Sequence, residues 1–349
     1  MVTKKLTLIS LFAGCGGSSL GYKMSTGFDE KVAVEWWEPA AKSLETNFKE
    51  VKVLRSDIMK ISGKELLNYA KIELLDVLDG SPPCQGFSMA GKRKLLDPRN
   101  DLVNHYIRLI HEIKPRAFVM EYVKGMIIGK MKGLFNEYLL KMRAEGYTVY
   151  ARLLNAMHYG VPQSRQRIII IGFKEKNCAE KFQWPTPFET IIPLKDILPN
   201  IENKSLREKS SFGYVINRNK PIPTIKKSCN SAKKDILLND NYGKLYDYIK
   251  PGQNASYLLS GKGRDNCKKP SLNKPCNAIC KMQSTHGFAT QVHPFEKRPM
   301  TINECKLVCS FPIDYYLNGN YTTQWGQLGN TVPPKMMQAI AEQVKKALI

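Results

Sequence analysis

The chain has 349 residues, 43% of them hydrophobic and 24% charged, and it carries 53 Lys and Arg against 31 Asp and Glu, a formal net charge of +22. This composition excludes a disordered, collagenous or coiled-coil chain, and apolar runs such as 168–171 fall far short of the ~18 residues of a membrane span. The positive excess points to a polyanionic partner, nucleic acid first and an anionic membrane second, and the nine scattered cysteines read as reduced thiols of a cytoplasmic protein, not as a disulfide frame.

In chain order, residues 6–12 are predicted as a buried strand. The run is short and enters glycines with no cleavage-like segment, so the basic N-terminus is not read as a signal peptide. Further strands are predicted at 31–35, 51–57, 74–79, 116–121, 147–154 and 167–171. Helical periods lie between them, including 102–113 and 134–145, the latter stopped by Gly146. Strand and helix in alternation predict an α/β fold with a mostly parallel, doubly wound sheet, whose ligands sit at the carboxyl ends of the strands. Gly14, Glu35, Asp57, Cys84 and Glu121 all fall at or just after such ends.

From about 174 to 297 prolines, asparagines and lysines become dense and periodicity fades. This stretch holds about 22 Lys and Arg against 11 Asp and Glu, half of the excess charge. It reads as a second, loop-rich domain. The chain ends in an amphipathic helix at 334–348, opened by Pro333 and Pro334 and expected to return to the first domain.

The first glycine turn, Phe12-Ala-Gly-Cys-Gly-Gly17, lets backbone approach a ligand closely. A dinucleotide fingerprint fails, because position 19 is Ser where the third glycine belongs. Glu35 ends the next strand, where a carboxylate can accept from both ribose hydroxyls, and Trp36 offers a face for an adenine ring. Asp57 is either a further polar anchor or a helix cap. An adenosine-type cofactor without a pyrophosphate fits this set better than NAD.

The second constellation is Gly80-Ser-Pro-Pro-Cys-Gln-Gly-Phe-Ser88. Two prolines fix the backbone before Cys84, and a cysteine held at a strand end is a candidate nucleophile. The following segment, 89–100, contains Gly91-Lys-Arg-Lys94 and reads as a basic loop able to close over a ligand.

Taken together these segments resemble the cytosine-C5 DNA methyltransferase family over nearly the whole chain. Phe12-Ala-Gly-Cys-Gly-Gly17 resembles its cofactor turn and Pro83-Cys84-Gln85 its nucleophile motif. Glu121-Tyr-Val123 stands where Glu-Asn-Val is usual, and Gln163-Ser-Arg-Gln-Arg167 matches Gln-x-Arg-x-Arg. Arg298-Pro-Met-Thr-Ile-Asn-Glu304 and Gly329-Asn-Thr-Val332 resemble the two closing motifs.

The resemblance implies a Rossmann-like core that binds S-adenosylmethionine, with catalytic parts at 1–183 and 298–349 and a target-recognition domain at 184–297. It implies Cys84 as the thiolate that adds to cytosine C6, Glu121 at N3, Arg167 at O2, and Arg165 in support. It implies a cofactor pocket of Phe12, Gly14, Cys15, Gly17, Glu35, Trp36, Asp57, Ile58, Pro83, Leu102, Asn330 and Val332. Contacts to DNA would come from Gln85, Ser88, Lys92, Arg93 and Lys94, around a base flipped out of the duplex. The expected partner is double-stranded DNA, with a cognate restriction endonuclease acting separately and the enzyme itself a monomer. Tyr122 departs from the family's asparagine, which leaves a catalytically weakened DNA-binding homologue as one alternative and a transfer-RNA methyltransferase as another.

No metal is expected. Cys276-x-x-x-Cys280 and Cys305-x-x-x-Cys309 lack histidines in register, and Cys305 and Cys309 are predicted one helical turn apart and half packed. His286 and His293 lie in the basic region and are candidates to touch DNA.

Overall fold

A computed structural model describes residues 5–83, 101–129, 131–198, 250–252, 268–281, 291, 293–294 and 299–349. Seven of the described strands form one sheet: β1 (Leu6–Leu11), β2 (Phe28–Val34), β3 (Lys52–Leu54), β4 (Val77–Gly80), β5 (Ala117–Val123), β6 (Thr148–Asn155) and β8 (Gln166–Phe173), in the order β3-β2-β1-β4-β5-β8-β6. The five strands from β3 to β5 are parallel, and β8 runs antiparallel to both neighbours. The chain makes β6 and then turns straight back through residues 156–165, so that β8 slots between β5 and β6. A second, two-stranded sheet pairs β7 (Gln163–Ser164) in parallel with β9 (Cys276–Asn277).

The central strands are apolar at nearly every position because both faces are covered. On one face Ile9, Leu11, Leu78, Phe118, Met120 and Ile170 pack under α3 (Gly63–Ala70), α4 (Asp101–Ile113) and α5 (Met131–Ala144). On the other Leu6, Leu8, Val77, Val119, Ile169 and Ile171 pack under α1 (Gly17–Ser25), α6 (Lys176–Lys181) and the last helix. The alternation of odd and even strand positions between these two clusters is the period-two signature of a strand.

Among the described residues there are three further helices, α2 (Glu38–Asn47), α7 (Ile302–Val308) and α8 (Tyr321–Asn330), and then α9 (Pro334–Leu348), whose bounds match the sequence expectation. The Thr301-x-x-Glu304 portion of the recognised motif is a capping box. Thr301 Oγ1 accepts from the Glu304 amide, and Glu304 Oε2 accepts from the Thr301 amide. A third cluster joins Cys15, Leu44 and Phe48 to Leu194, Ile279, Trp325 and Leu328, so the ends of the loop-rich region pack onto the same body as the first glycine turn. No helix among the described residues is long and apolar enough to cross a membrane.

Candidate active site

The first glycine turn is built where β1 stops. Phe12, Gly14 and Gly16 all take positive φ, at 54°, 57° and 91°. The turn is tied to the end of β2 by the Ala13 amide donating to Val34 O (3.1 Å) and the Gly14 amide donating to Glu35 Oε2 (2.8 Å). The Trp37 amide donates to Glu35 Oε1 at 2.7 Å. Burial raises the Glu35 carboxyl above the usual range, opposed by these two amides and by the Lys281 ammonium. A Cβ placed on Gly14 would meet nothing within 4 Å, so the turn faces open space, and Trp36 beside it is 77% exposed.

Other members of the expected pocket fall differently. Asp57 Oδ1 accepts from the Met59 amide (3.0 Å), closing a turn instead of capping a helix, and Ile58 sits inside the core at 4% exposure. Cys15 is corrected. Its side chain is buried, burial pushes its thiol up to about 12, and its carbonyl accepts from the Tyr315 hydroxyl, which leaves only main chain toward a ligand. Gly17 serves close packing. A Cβ there would overlap Thr331 Oγ1 and the Val332 carbonyl, so the start of α1 presses on the Gly329-to-Val332 motif. Val332 is buried, Asn330 is exposed at the end of α8, and Leu102 packs half-buried against the core. Pro83 is half-buried and is the last described residue before the nucleophile segment. Two residues before it, the Ser81 amide donates to Leu11 O at 3.3 Å, which sets residue 81 beside the start of the first glycine turn.

Cys84, Gln85, Ser88, Lys92, Arg93 and Lys94 lie outside the described residues. Glu121, Arg165 and Arg167, the other residues expected at the reacting base, are described. The register of β5 with β8 pairs Glu121 with Ile169 and Val123 with Arg167, so Glu121 and Arg167 are diagonal neighbours on one face. Arg167 Nε lies 2.6 Å from Glu121 Oε1, with both side chains mostly buried. Tyr122 points to the opposite face and is buried in the cluster containing Met126 and Ile168.

Arg165 is not at this surface. It is buried, and it donates from Nη1 to Ile279 O and from Nη2 to Gly329 O, both at 3.0 Å. Burial, and then the charge of Arg167, lowers its guanidinium to about 10. It latches β8's entry to the segment after β9 and to the end of α8. Gln163, also buried, donates from Nε2 to Cys309 Sγ at 3.3 Å.

A buried acidic group on β2 and β4 was missed by sequence reading. Asp79 on β4 accepts from the Tyr22 hydroxyl (3.3 Å), and Glu30 on β2 accepts from the Ser19 hydroxyl (2.9 Å). Burial first, and then the Glu30 charge, pushes Asp79 up to about 8, and burial pushes Glu30 up to about 7. No sequence pattern marked them as buried, because Glu30 lies in the charged run Asp29-Glu30-Lys31 and Asp79 closes its predicted strand. His293 is likewise corrected: it is buried, with Nε2 3.6 Å from Glu304 Oε1, and so is not placed for a DNA surface. Cys305 and Cys309 are one turn apart as expected but fully buried, not half packed. His286 lies outside the described residues.

The family model for C-5 cytosine-specific DNA methylase matches residues 6–346. The type II methyltransferase M.XorII of Xanthomonas oryzae pv. oryzae is 31% identical, over 97% of this chain and 84% of that protein. The type II methyltransferase M.DdeI of Desulfomicrobium norvegicum is 33% identical, over 97% of this chain and 88% of that protein. Among solved structures, a prophage-encoded protein of E. coli described as a DNA modification methyltransferase superposes with a TM-score of 0.74 at 23% identity, covering 99% of each chain.

Proposed function

The chain belongs to the C-5 cytosine-specific DNA methylase family, and on that premise we propose a specific reaction and site for it. It is a cytosine-C5 DNA methyltransferase with relatives among the type II restriction-modification enzymes. The proposal assigns S-adenosylmethionine as methyl donor, the parts 1–183 and 298–349 to catalysis, and 184–297 to reading a short duplex sequence from the cytoplasm as a monomer. A cognate endonuclease would act separately on the same sequence.

The observation that carries the cofactor assignment is the open turn at Gly14, backed by a carboxylate whose two oxygens already hold the amides of Gly14 and Trp37. Each carboxylate oxygen has a further lone pair, and those are assigned to the ribose hydroxyls. Trp36 presents its exposed ring to the adenine. The donor, when bound, supplies an electrophilic methyl group on a sulfonium.

The chain's own residues do the rest. A flipped cytosine is a poor carbon nucleophile at C5. Addition of the Cys84 thiolate to C6 makes the ring an enamine, and the charge that develops at N3 needs a carboxyl group at the base edge. Glu121 supplies it. Arg167 forms an ion pair with one Glu121 oxygen and is assigned to the base O2 as well. After methyl transfer to C5, loss of the C5 proton to a base expels the Cys84 thiolate and restores the aromatic ring. Arg165 and Gln163 hold the wall in place.

The test is covalent capture. Mixed-sequence duplexes carrying 5-fluorocytosine and supplied with donor form a stable adduct with the wild-type chain, because fluorine at C5 blocks the final elimination. Cys84→Ser keeps duplex binding and gives no adduct. Absence of any wild-type adduct, together with no methyl incorporation into unmodified duplexes, overturns the assignment.

A further inference from the structure

We propose that Lys281, from the segment that leaves the recognition region, is a positioning residue of the cofactor pocket: it braces Trp37 against Glu35 and so sets the affinity for the methyl donor. The inference rests on the pocket assigned above and adds a residue that its motifs do not contain.

Three observations converge on Lys281. Its Nζ stands 5.2 Å from the centroid of the Trp37 ring. The main chain of that same Trp37 donates to Glu35 Oε1 at 2.7 Å, so the ring under the lysine and the carboxylate share one residue. The ammonium charge also favours the ionised form of Glu35 against its burial. Pushing on Trp37 therefore pushes on the acceptor assigned to the ribose.

A lysine on a mobile surface would contribute little here. Lys281 is different because its backbone is fixed. The Trp325 indole donates to Cys280 O (3.0 Å), Arg165 donates to Ile279 O (3.0 Å), and the Cys276 amide donates to Pro162 O (3.0 Å). Any side chain at Gly329 would collide with the backbone of 280–281. The exposed Lys281 side chain also runs alongside α8: a Cβ on Gly326 would lie 3.4 Å from Trp37 Cη2 and 3.9 Å from Lys281 Cγ. Three chain regions, the end of β2, the segment after β9, and α8, thus meet at one ring. Because residues 276–281 also carry the acceptor for Arg165, the donor pocket and the wall bearing Glu121 and Arg167 are tied to the same short segment.

The experiment is calorimetric titration of the full chain with S-adenosylhomocysteine, a non-reacting mimic of the donor, alongside duplex binding without cofactor and steady-state kinetics. Lys281→Met is expected to weaken S-adenosylhomocysteine binding about 5- to 10-fold, in keeping with one lost cation–π contact and one lost charge. It is expected to raise KM for the donor by a similar factor while kcat at saturating donor holds. Lys281→Arg restores affinity to within about 2-fold, since a guanidinium also stacks on an aromatic face. Duplex affinity without cofactor stays unchanged. Unaltered S-adenosylhomocysteine affinity in the Met variant overturns the proposal. So does a loss of duplex affinity without cofactor, which would make Lys281 a phosphate contact. A wild-type chain that does not bind S-adenosylhomocysteine at all removes the pocket assignment itself, and this inference with it.

Discussion

Replacing Arg165 by Met tests whether this arginine is a latch or a substrate contact. The guanidinium is 3% exposed and gives two bonds of 3.0 Å to main-chain carbonyls, of Ile279 and Gly329. Hydrogen bonds to a charged group contribute roughly 1.5–3 kcal/mol each, so about 3–6 kcal/mol of interaction is lost, and two buried acceptors are left without their donor. Against this, a buried cation no longer needs to be stripped of water, and its repulsion from Arg167 disappears. The net expectation is a loss of about 2–4 kcal/mol, from a folding free energy on the order of 5–15 kcal/mol. Urea unfolding monitored by tryptophan fluorescence should show a lower midpoint at unchanged m, and the thermal midpoint should fall by about 5–10 °C. Arg165→Lys should lie between the two, because an ammonium lacks the fork that reaches both carbonyls. Activity falls under either role, so stability is the discriminating measurement. An Arg165→Met chain that unfolds within about 0.5 kcal/mol of wild type yet transfers no methyl groups would refute the latch and return Arg165 to the substrate.

Two further outcomes follow from the same geometry. Gly14→Ala is expected to cost only about 1–2 kcal/mol of stability, the strain of φ +57° with no steric contact, but to weaken S-adenosylhomocysteine binding more than 10-fold because the methyl projects into the open face of the turn; equal binding by calorimetry would show that this face holds no ligand. Asp79 has a folded pKa of about 8 against 3.8 when unfolded, so across that window the unfolded chain binds fewer protons and stability falls as pH rises, from about pH 4 up through about pH 8. Asp79→Asn removes this contribution, so the variant should gain on wild type between urea unfolding at pH 5.5 and at pH 8.5, and a pH-independent difference would show that the Asp79 carboxyl is not held neutral.

Much of this was legible in the sequence, for identifiable reasons. The strands that became β1, β5 and β8 are short apolar runs buried on both faces, and such runs signal themselves. The final helix was bounded by its own prolines. The predicted strand at 51–57 shrinks to Lys52–Leu54 because Asp57 takes the Met59 amide and turns the chain away. What could not be read was direction. Cys15 lies within a matched motif, yet a motif does not say which way a side chain points, and this one points into the core. Nor could the latch be read, because Arg165 is 114 residues from Ile279 and 164 from Gly329. The reversal of β8 was hinted at only by the lack of a helical period between 155 and 166.

Tyr122 shows how that reversal bears on chemistry. Beside Glu121, the residue proposed for N3, a larger side chain looks disruptive in a linear reading. In the sheet, however, neighbours along a strand face opposite ways. The β5–β8 register places Glu121 and Arg167 together on one face, whereas Tyr122 joins Met126 and Ile168 on the other. The residue at 122 is thus separated from the ion pair by the thickness of the sheet. Its size is accommodated in a cluster already built from Tyr106, Phe135 and Tyr138. Because β8 runs antiparallel, Arg167 enters the sheet where β5 leaves it, and the pair forms at the carboxyl end of β5, the end at which its parallel neighbour β4 also finishes. The departure from the family's asparagine therefore alters packing on the covered face while the charged face keeps its register, and for that reason the catalytic assignment is placed on Glu121 and Arg167 and not on their neighbour.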